Sequence, residues 1–326
     1  MMAAAPMRVL VTGATGFVGF TLCRALADAG CVVRAALRND RALPEHIAER
    51  VVVGGIDSST QWQAALDRVD AVIHAAARVH VMHDSPAARS LYTETNAHGT
   101  ARLVAAAAQA GVRRFLYLSS VKVNGEENSD RAYTALDAPH PSDDYGLSKA
   151  LAEQYVREGS ASTGLPAVIV RPPLVYGPGV KANFLRLMSW VDREWPLPLG
   201  AVRNSRSLVS VWNLSSLLMD LLNNPAAPGH TFMVSDDEDL STPELIRRIA
   251  RAMKRRVRLI PVPMGVLQLG GRLTGRSAEI ARLCGSLTVD ATQTRAILGW
   301  SAPLKVDEAL ARTAQWYLSE GRSREH

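Results

Sequence analysis

Val9-Leu10-Val11-Thr12-Gly13-Ala14-Thr15-Gly16-Phe17-Val18-Gly19 is the stretch that decides the fold. Its first residues are apolar or β-branched without interruption, as a strand buried on both faces requires. Three glycines follow at three-residue spacing, and an amphipathic run over Phe17 to Ala29 takes over from them. Gly13 permits a tight turn, Gly16 lets backbone approach a pyrophosphate, and Gly19 allows close packing of the helix. The helix start then offers free N–H groups and its positive dipole end to phosphates. A glycine trio alone marks any tight turn; between a strand and a helix it marks a dinucleotide site. Gly13, Thr15, Gly16, Phe17 and Val18 are the cofactor contacts expected there.

The same alternation continues outward. Near-continuous apolar runs predict strands at Arg8 to Thr12, Cys31 to Leu37, Val51 to Val53, Asp70 to Ala75, Phe115 to Ser119 and Ala167 to Val170. Helical periodicity lies between them at Phe17 to Ala29, Asn96 to Ala110 and Asp144 to Glu158. This order implies an α/β fold, a doubly wound parallel sheet with right-handed crossovers. After Arg171 the texture changes, with Pro172, Pro173, Gly177, Pro178 and Gly179. A helix over Asn183 to Trp190 and a Pro-rich loop, Trp195 to Gly200, follow. Strand, helix and strand return at Leu208 to Val211, Leu214 to Leu222 and His230 to Val234, and Ser241-Thr242-Pro243-Glu244 opens another helix. The expected division is a dinucleotide-binding domain from residues 1–172 and 205–236. A smaller, discontinuous, mostly helical substrate domain takes residues 173–204 and 237–326.

A chain of 326 residues with 47% hydrophobic residues can build one large domain or two linked ones. No apolar run reaches bilayer length. The start, Met1 to Leu10, lacks the charged, apolar and cleavage regions of a secretion signal, so a cytoplasmic enzyme is expected. Cys23, Cys31 and Cys284 are an odd number without metal spacing and read as reduced, packed thiols; no metal is expected. The net charge is +6, but arginines are scattered. The one basic cluster, Lys254-Arg255-Arg256, reads as a solvated helix end, and no nucleic-acid motif accompanies it.

The second strand ends Val33-Arg34-Ala35-Ala36-Leu37-Arg38-Asn39 without the acid that would bind both ribose hydroxyls of NAD. Arg38 stands there instead, with Arg34 and Arg41 near in sequence. A guanidinium suits a 2′-phosphate, so NADP(H) is favoured over NAD(H). Asp57 has two readings of equal weight: an acceptor for the adenine amino group, or a helix N-cap. His74-Ala75-Ala76-Ala77 closes the fourth strand with small residues against which a cofactor can lie. His74 reads as a packed, hydrogen-bonded histidine rather than a base.

Tyr145-Gly146-Leu147-Ser148-Lys149 puts Tyr and Lys on one helix face, while Ser119-Ser120 ends the fifth strand at the edge where open sheets bind ligands. A free tyrosine titrates near pH ~10; a neighbouring ammonium and a positive nicotinamide ring are expected to lower that value. Tyr145 can then exchange a proton with a substrate oxygen, Ser120 can hydrogen-bond the same oxygen, and Lys149 can also hold the nicotinamide ribose.

Together these residues resemble the extended short-chain dehydrogenase/reductase family, in its NAD-dependent epimerase/dehydratase branch, from about Arg8 to about Trp316. The family's glycines fall on Gly13, Gly16 and Gly19, its active-site serine on Ser120 ahead of Gly125, and its YxxxK on Tyr145 and Lys149. Asn96 matches a family asparagine. Arg171 to Gly179 looks like the usual link into the substrate domain, and the resemblance puts Pro172 among the cofactor contacts. In members acting on nucleotide-diphosphate sugars, Asn183 corresponds to an asparagine that contacts the diphosphate or the sugar and Arg206 to an arginine that grips a phosphate, and Arg276 or Arg282 would supply a second phosphate contact. The 4,6-dehydratases carry Asp-Glu after the active-site residue; Val121 and Lys122 stand here, which argues against dehydration. The resemblance therefore implies redox at C4 of a UDP-sugar. A reductase of UDP-4-keto-6-deoxy-N-acetylhexosamines in surface-polysaccharide synthesis ranks first, a UDP-hexose 4-epimerase second, and a reductase of small ketones or aldehydes third. A non-catalytic dinucleotide sensor fits less well with an intact Ser120, Tyr145 and Lys149. The helices after Asn96 and through Tyr145 are expected to form a homodimer across a two-fold axis. Leu103, Val104, Ala107, Ala108, Leu147, Ala150, Leu151 and Tyr155 would face the sheet, and Ala101, Ala105, Ala106 and Ala152 the partner.

Overall fold

The computed structural model describes residues 5–79, 86–128, 130–275 and 277–324. Its centre is β1 (Arg8–Thr12), a strand of near-complete burial that feeds the glycine turn and α1 (Phe17–Asp28). β2 (Val32–Leu37) and β3 (Glu49–Val52) lie on one side of β1. On the other side come β4 (Ala71–His74), β5 (Arg114–Leu118), β6 (Ala167–Arg171) and finally β9 (Thr231–Met233). All pairs are parallel, with Thr12 opposite Ala36 on one side and His74 on the other. The strand order reverses between β1 and β4, so a crevice opens beyond their carboxyl ends, where Gly13 and Ala75 lie.

The short α2 (Gln63–Leu66) precedes β4. The helix expected from Asn96 starts earlier: α3 (Pro86–Tyr92) passes through a π-helical turn, Thr93–His98, into α4 (Gly99–Gln109). Asn96 sits inside that turn, which periodicity at 3.6 residues does not register. α5 (Asp144–Thr163) runs past the expected end at Glu158 to a left-handed Gly164, φ 76°. β7 (Leu174–Tyr176), hidden in the Pro- and Gly-rich link, pairs with β8 (Leu208–Ser210) as a separate two-stranded sheet. α6 (Ala182–Asp192) lies between them. α7 (Val211–Asn223) follows β8 at once because the Ser210 hydroxyl caps it, accepting from Asn213 N–H. The chain ends in α8 (Thr242–Ala252), α9 (Met264–Leu273), α10 (Ser277–Cys284), α11 (Thr292–Leu298) and α12 (Val306–Ser319).

Three apolar clusters hold these layers. One packs α1 and α7 on one face of the sheet and includes Leu298 and Trp300. A second packs α4 and α5 on the other face. The third joins α6, α8 and α12 around Tyr176, Ile246 and Leu310, apart from the sheet. On α4 and α5 the faces differ from expectation. Ala106 and Ala152, expected toward a second subunit, are buried within the chain, whereas Leu147, expected on the sheet, is 48% exposed. No helix among the described residues is long and apolar enough to cross a membrane.

Candidate active site

The glycine turn is a cradle closed by its own backbone. Gly13 adopts φ +72°, and a Cβ there would come within 2.8 Å of Ala76 N. A Cβ on Gly19 would reach 2.0 Å from the Gly13 carbonyl oxygen, so neither position admits a side chain. α1 starts at Gly16 without a side-chain cap, leaving the first-turn amides of Phe17 and Val18 for a ligand. Ala75, Ala76 and Ala77 are half-buried beside this turn. These features fit a dinucleotide pyrophosphate.

A chain of hydrogen bonds locks the crevice floor. Ala76 N–H donates to Thr12 Oγ1 (3.1 Å), which pairs with His74 Nδ1 (2.6 Å). His74 Nε2 pairs with Thr100 Oγ1 (2.9 Å), whose hydroxyl donates to the Asn96 carbonyl (2.6 Å). The chain is complete only if neutral His74 carries its proton on Nε2. Burial and the Lys149 ammonium push the His74 pKa down to about 3, so His74 is a packed strut. The Asn96 amide is equally committed: it donates to the Arg78 carbonyl (3.0 Å) and Ser148 Oγ (3.0 Å) and accepts from Arg78 N–H (2.8 Å). Its side chain ties the segment after β4 to α5.

The other cofactor candidates divide. Arg38 is exposed at the end of β2, without an ion pair among the described residues. Arg34 is buried against Glu49 and the carbonyls of Ala65 and Asp67, which fixes α2 and leaves it no role in the crevice. Asp57 accepts from Ser59 N–H (2.8 Å) and Ser59 Oγ (2.7 Å), bonds that hold its pKa below the usual carboxylate range. Pro172 accepts from Val121 N–H (3.0 Å) and so pins the turn that carries Ser120.

Ser120 and Tyr145 come together. Ser120 Oγ caps the short 3-10 turn Val121–Val123, accepting from Lys122 N–H at 3.3 Å, and lies close enough to the Tyr145 phenol to favour its ionised form. Tyr145 is in the first turn of α5, its ring edge-on to Tyr92 at 6.2 Å. Asp143 starts that turn by accepting from Gly146 N–H at 2.6 Å, and Lys122 holds Asp143 at 2.5 Å while also pairing with Glu126. The residue where a dehydratase would carry an acid thus anchors the helix start.

Burial first, and then the Asp143 carboxylate, raise the Tyr145 pKa to about 12, with the Ser120 hydroxyl acting in the opposite direction; the expected lowering includes the charge of a nicotinamide ring. The Lys149 Nζ donates to the Leu118 carbonyl at 2.6 Å and lies 4.1 Å from the centre of the Tyr117 ring. Burial lowers the Lys149 pKa to about 7, opposed by Glu153.

One group near the centre was missed in the sequence. Glu153 is fully buried; it accepts from Ser119 Oγ (2.6 Å), from Arg171 Nε (2.8 Å) and Nη2 (2.6 Å), and from Arg157 (2.8 Å). Burial raises its pKa, but the Arg171 fork and Ser119 more than offset that, leaving it below the usual carboxylate range. Its position one turn after Lys149 was the available signal.

The substrate candidates gather around α10. Arg186 donates to Asn183 Oδ1 (2.6 Å) and to Glu279 on α10 (3.0 Å). Arg206 Nη1 donates to the carbonyls of Arg282 (2.6 Å) and Gly285 (3.0 Å) at the carboxyl end of α10. Burial lowers the Arg206 pKa, with Glu127 and Glu126 acting in the opposite direction. Arg282 offers its backbone to Arg206, and its side chain is exposed. Arg276 lies outside the described residues. Arg186, which also holds Asn183, and Arg206 thus both bond to α10, one at Glu279 and the other at its carboxyl end.

The sequence pattern of the NAD dependent epimerase/dehydratase family matches residues 9–234. A Vibrio cholerae protein named UDP-glucose 4-epimerase is 40% identical, over 96% of each chain. An Escherichia coli O157:H7 protein named N-acetyl-alpha-D-glucosaminyl-diphospho-ditrans,octacis-undecaprenol 4-epimerase is 28% identical over 94% of each. Among solved structures, MoeE5 in complex with UDP-glucuronic acid and NAD superposes with a TM-score of 0.74 at 26% identity, covering 97% of this chain and 99% of that one.

Proposed function

The chain belongs to the NAD dependent epimerase/dehydratase family, and from that premise we propose that it performs redox chemistry at C4 of a UDP-sugar, with 4-epimerisation of a UDP-hexose as the first reading. The observation that carries it is the gathering of Ser120, at the end of β5, with Tyr145 and Lys149 of α5, whose ammonium donates to the Leu118 carbonyl at the end of that strand. Gly13, Thr15, Gly16, Phe17 and Val18 would hold the pyrophosphate, and Ala75 to Ala77, Pro172, Tyr145 and Lys149 would line the nicotinamide side. Asp57 and Arg38 would meet the adenosine end, and Asn96 would support the floor. The nicotinamide, when bound, supplies a reversible hydride acceptor. Tyr145 takes the proton from the C4 hydroxyl and returns it, and Ser120 orients that oxygen. Elimination of water would need an acid pair after Ser120, and Val121 and Lys122 do not provide one. Arg206, with Asn183, would meet the diphosphate, and Arg282 would line the same edge. The third apolar cluster would be the core of the substrate domain.

The relative at 40% identity and the NAD in the MoeE5 structure support the epimerase reading. One observation favours a second: Arg38 stands free where an acid would select NAD, which suits a dissociable NADPH and net reduction of a UDP-4-keto-6-deoxy-N-acetylhexosamine. Two measurements separate these. Acid release from the purified protein identifies the retained nucleotide. NMR of UDP-glucose and UDP-N-acetylglucosamine incubations detects C4 inversion without net cofactor turnover. Retained NAD with inversion supports the epimerase, and NADPH consumption with a 4-keto sugar supports the reductase. Neither activity on any UDP-sugar overturns both.

A homodimer through α4 and α5 is also proposed. Leu147 on α5 is 48% exposed, and Ala105 on α4 faces outward. Light scattering should give twice the chain mass, reduced to one by Ala105→Glu; a single-chain mass at every concentration overturns it.

A further inference from the structure

α9 is apolar on two opposite sides. Leu267 and Gly271 bury one side in the chain. Val266, Leu269 and Leu273 project from the other, 58%, 56% and 80% exposed. At 100° per residue these three fall within about 60° of one another, a stripe and not a scatter. Gly270, beside the stripe, has open space where a Cβ would stand. A helix with two apolar faces is normally covered on both.

The segment that leads into α9 is exposed on one side as well. Leu197 and Gly200 hydrogen-bond the extended residues Arg258 and Ile260. Along that segment the exposed residues alternate, Arg256, Arg258 and Ile260, with Ile260 47% exposed. Beside it Trp195 is 48% exposed, with the Arg193 guanidinium 5.1 Å from its ring centre. Arg256, Arg258 and Arg272 make no ion pair among the described residues. Arg255, by contrast, is committed to Asp192 at 3.0 Å.

Exposed apolar side chains and arginines without an ion pair among the described residues, on α9 and the segment that leads into it, with an exposed tryptophan beside that segment, match one environment: the boundary of an anionic bilayer. There acyl chains receive Leu and Val, the headgroup region receives Trp, and lipid phosphates receive Arg. We propose that α9, with Trp195, Arg256, Arg258 and Ile260, is a peripheral docking surface for anionic phospholipid. A second copy of the chain is the competing occupant, but it would bring Arg256, Arg258 and Arg272 against their own like charges across a two-fold contact. α9 packs on α10, the helix gripped by Arg186 and Arg206, so docking would set the candidate substrate edge near the membrane. The inference does not depend on which sugar the site takes.

Co-sedimentation of the whole chain with phosphatidylglycerol/phosphatidylethanolamine vesicles, against phosphatidylcholine vesicles, tests it. The chain should sediment with the anionic vesicles and be released by raised salt. Arg256→Glu and Arg258→Glu should each weaken binding by about fivefold or more, from roughly 1 kcal/mol per basic residue near the surface. Leu269→Glu with Leu273→Glu should abolish binding and leave turnover of a soluble UDP-sugar unchanged; Leu269→Gln with Leu273→Gln serves if the charged pair does not fold. No binding to anionic vesicles overturns the proposal, as does binding that none of these variants weakens. A dimer in light scattering that Leu269→Glu with Leu273→Glu dissociates assigns the surface to a second copy and equally overturns it.

Discussion

Lys149 and Leu118 are joined by a 2.6 Å hydrogen bond from the ammonium to the carbonyl at the end of β5. The lysine therefore holds the end of the strand that delivers Ser120. Burial of this ammonium lowers its pKa from 10.5 to about 7. Between those values the unfolded chain retains a proton that the folded one has lost, so this group makes stability rise with pH across that window. Below about pH 7 the full cost of burial is expressed, on the order of a few kcal/mol at about 1.4 kcal/mol per unit. Lys149→Met should therefore stabilise the protein most at pH 6 to 7, with the gain vanishing toward ~pH 10.5, read from urea unfolding at several pH values. A gain that grows with pH would show the burial argument to be wrong.

Glu153, fully buried among protein partners, should contribute strongly to stability. Removing one partner of a buried ion pair typically costs about 3–5 kcal/mol, and Glu153 serves Arg171, Ser119 and Arg157 at once. Glu153→Ala should lower the urea midpoint by a corresponding amount; a change below about 1 kcal/mol would mean that the Arg171 fork is dispensable.

Arg38 is the discriminator for the cofactor. If it meets a 2′-phosphate, Arg38→Ala should weaken NADPH by about tenfold or more, at about 1.5–3 kcal/mol for a charged hydrogen bond, and leave NADH unchanged. Fluorescence titration of both cofactors decides it. Equal effects on the two, or none on either, removes the case for NADP(H).

Arg206 has two jobs that one variant can separate. Its Nη1 is spent on α10 carbonyls, and the rest of its fork would be available to a diphosphate. Arg206→Ala should raise KM for a UDP-sugar by about tenfold or more with a smaller change in kcat. A loss of thermal stability with KM unchanged would make it a helix cap only.

Most of the sheet was legible because buried parallel strands announce themselves as unbroken apolar runs: β1, β2, β4, β5 and β6 lie within about a residue of where Val, Ile and Leu put them. β7 was not, since only Leu174, Val175 and Tyr176 form it, among prolines and glycines that read as a break. The π-helical turn at Asn96 follows no 3.6-residue period. Ser120, Tyr145 and the glycine cradle could be proposed from the sequence because each candidate role needs a residue type at a fixed spacing. Glu153, the direction of the Lys149 side chain and the partners of Arg206 could not, because they depend on residues brought together across the fold.

The central claim is that Tyr145 moves the substrate proton, and Tyr145→Phe tests it most directly. Turnover of whichever UDP-sugar the incubations show to be a substrate and affinity for the cofactor should be measured on the same preparation. Loss of general acid–base catalysis should lower kcat by about 10²–10⁴-fold, with cofactor binding within a few-fold of the parent, because the phenyl ring still fills the place beside Tyr92. Turnover within a few-fold of the parent would contradict the assignment of Tyr145.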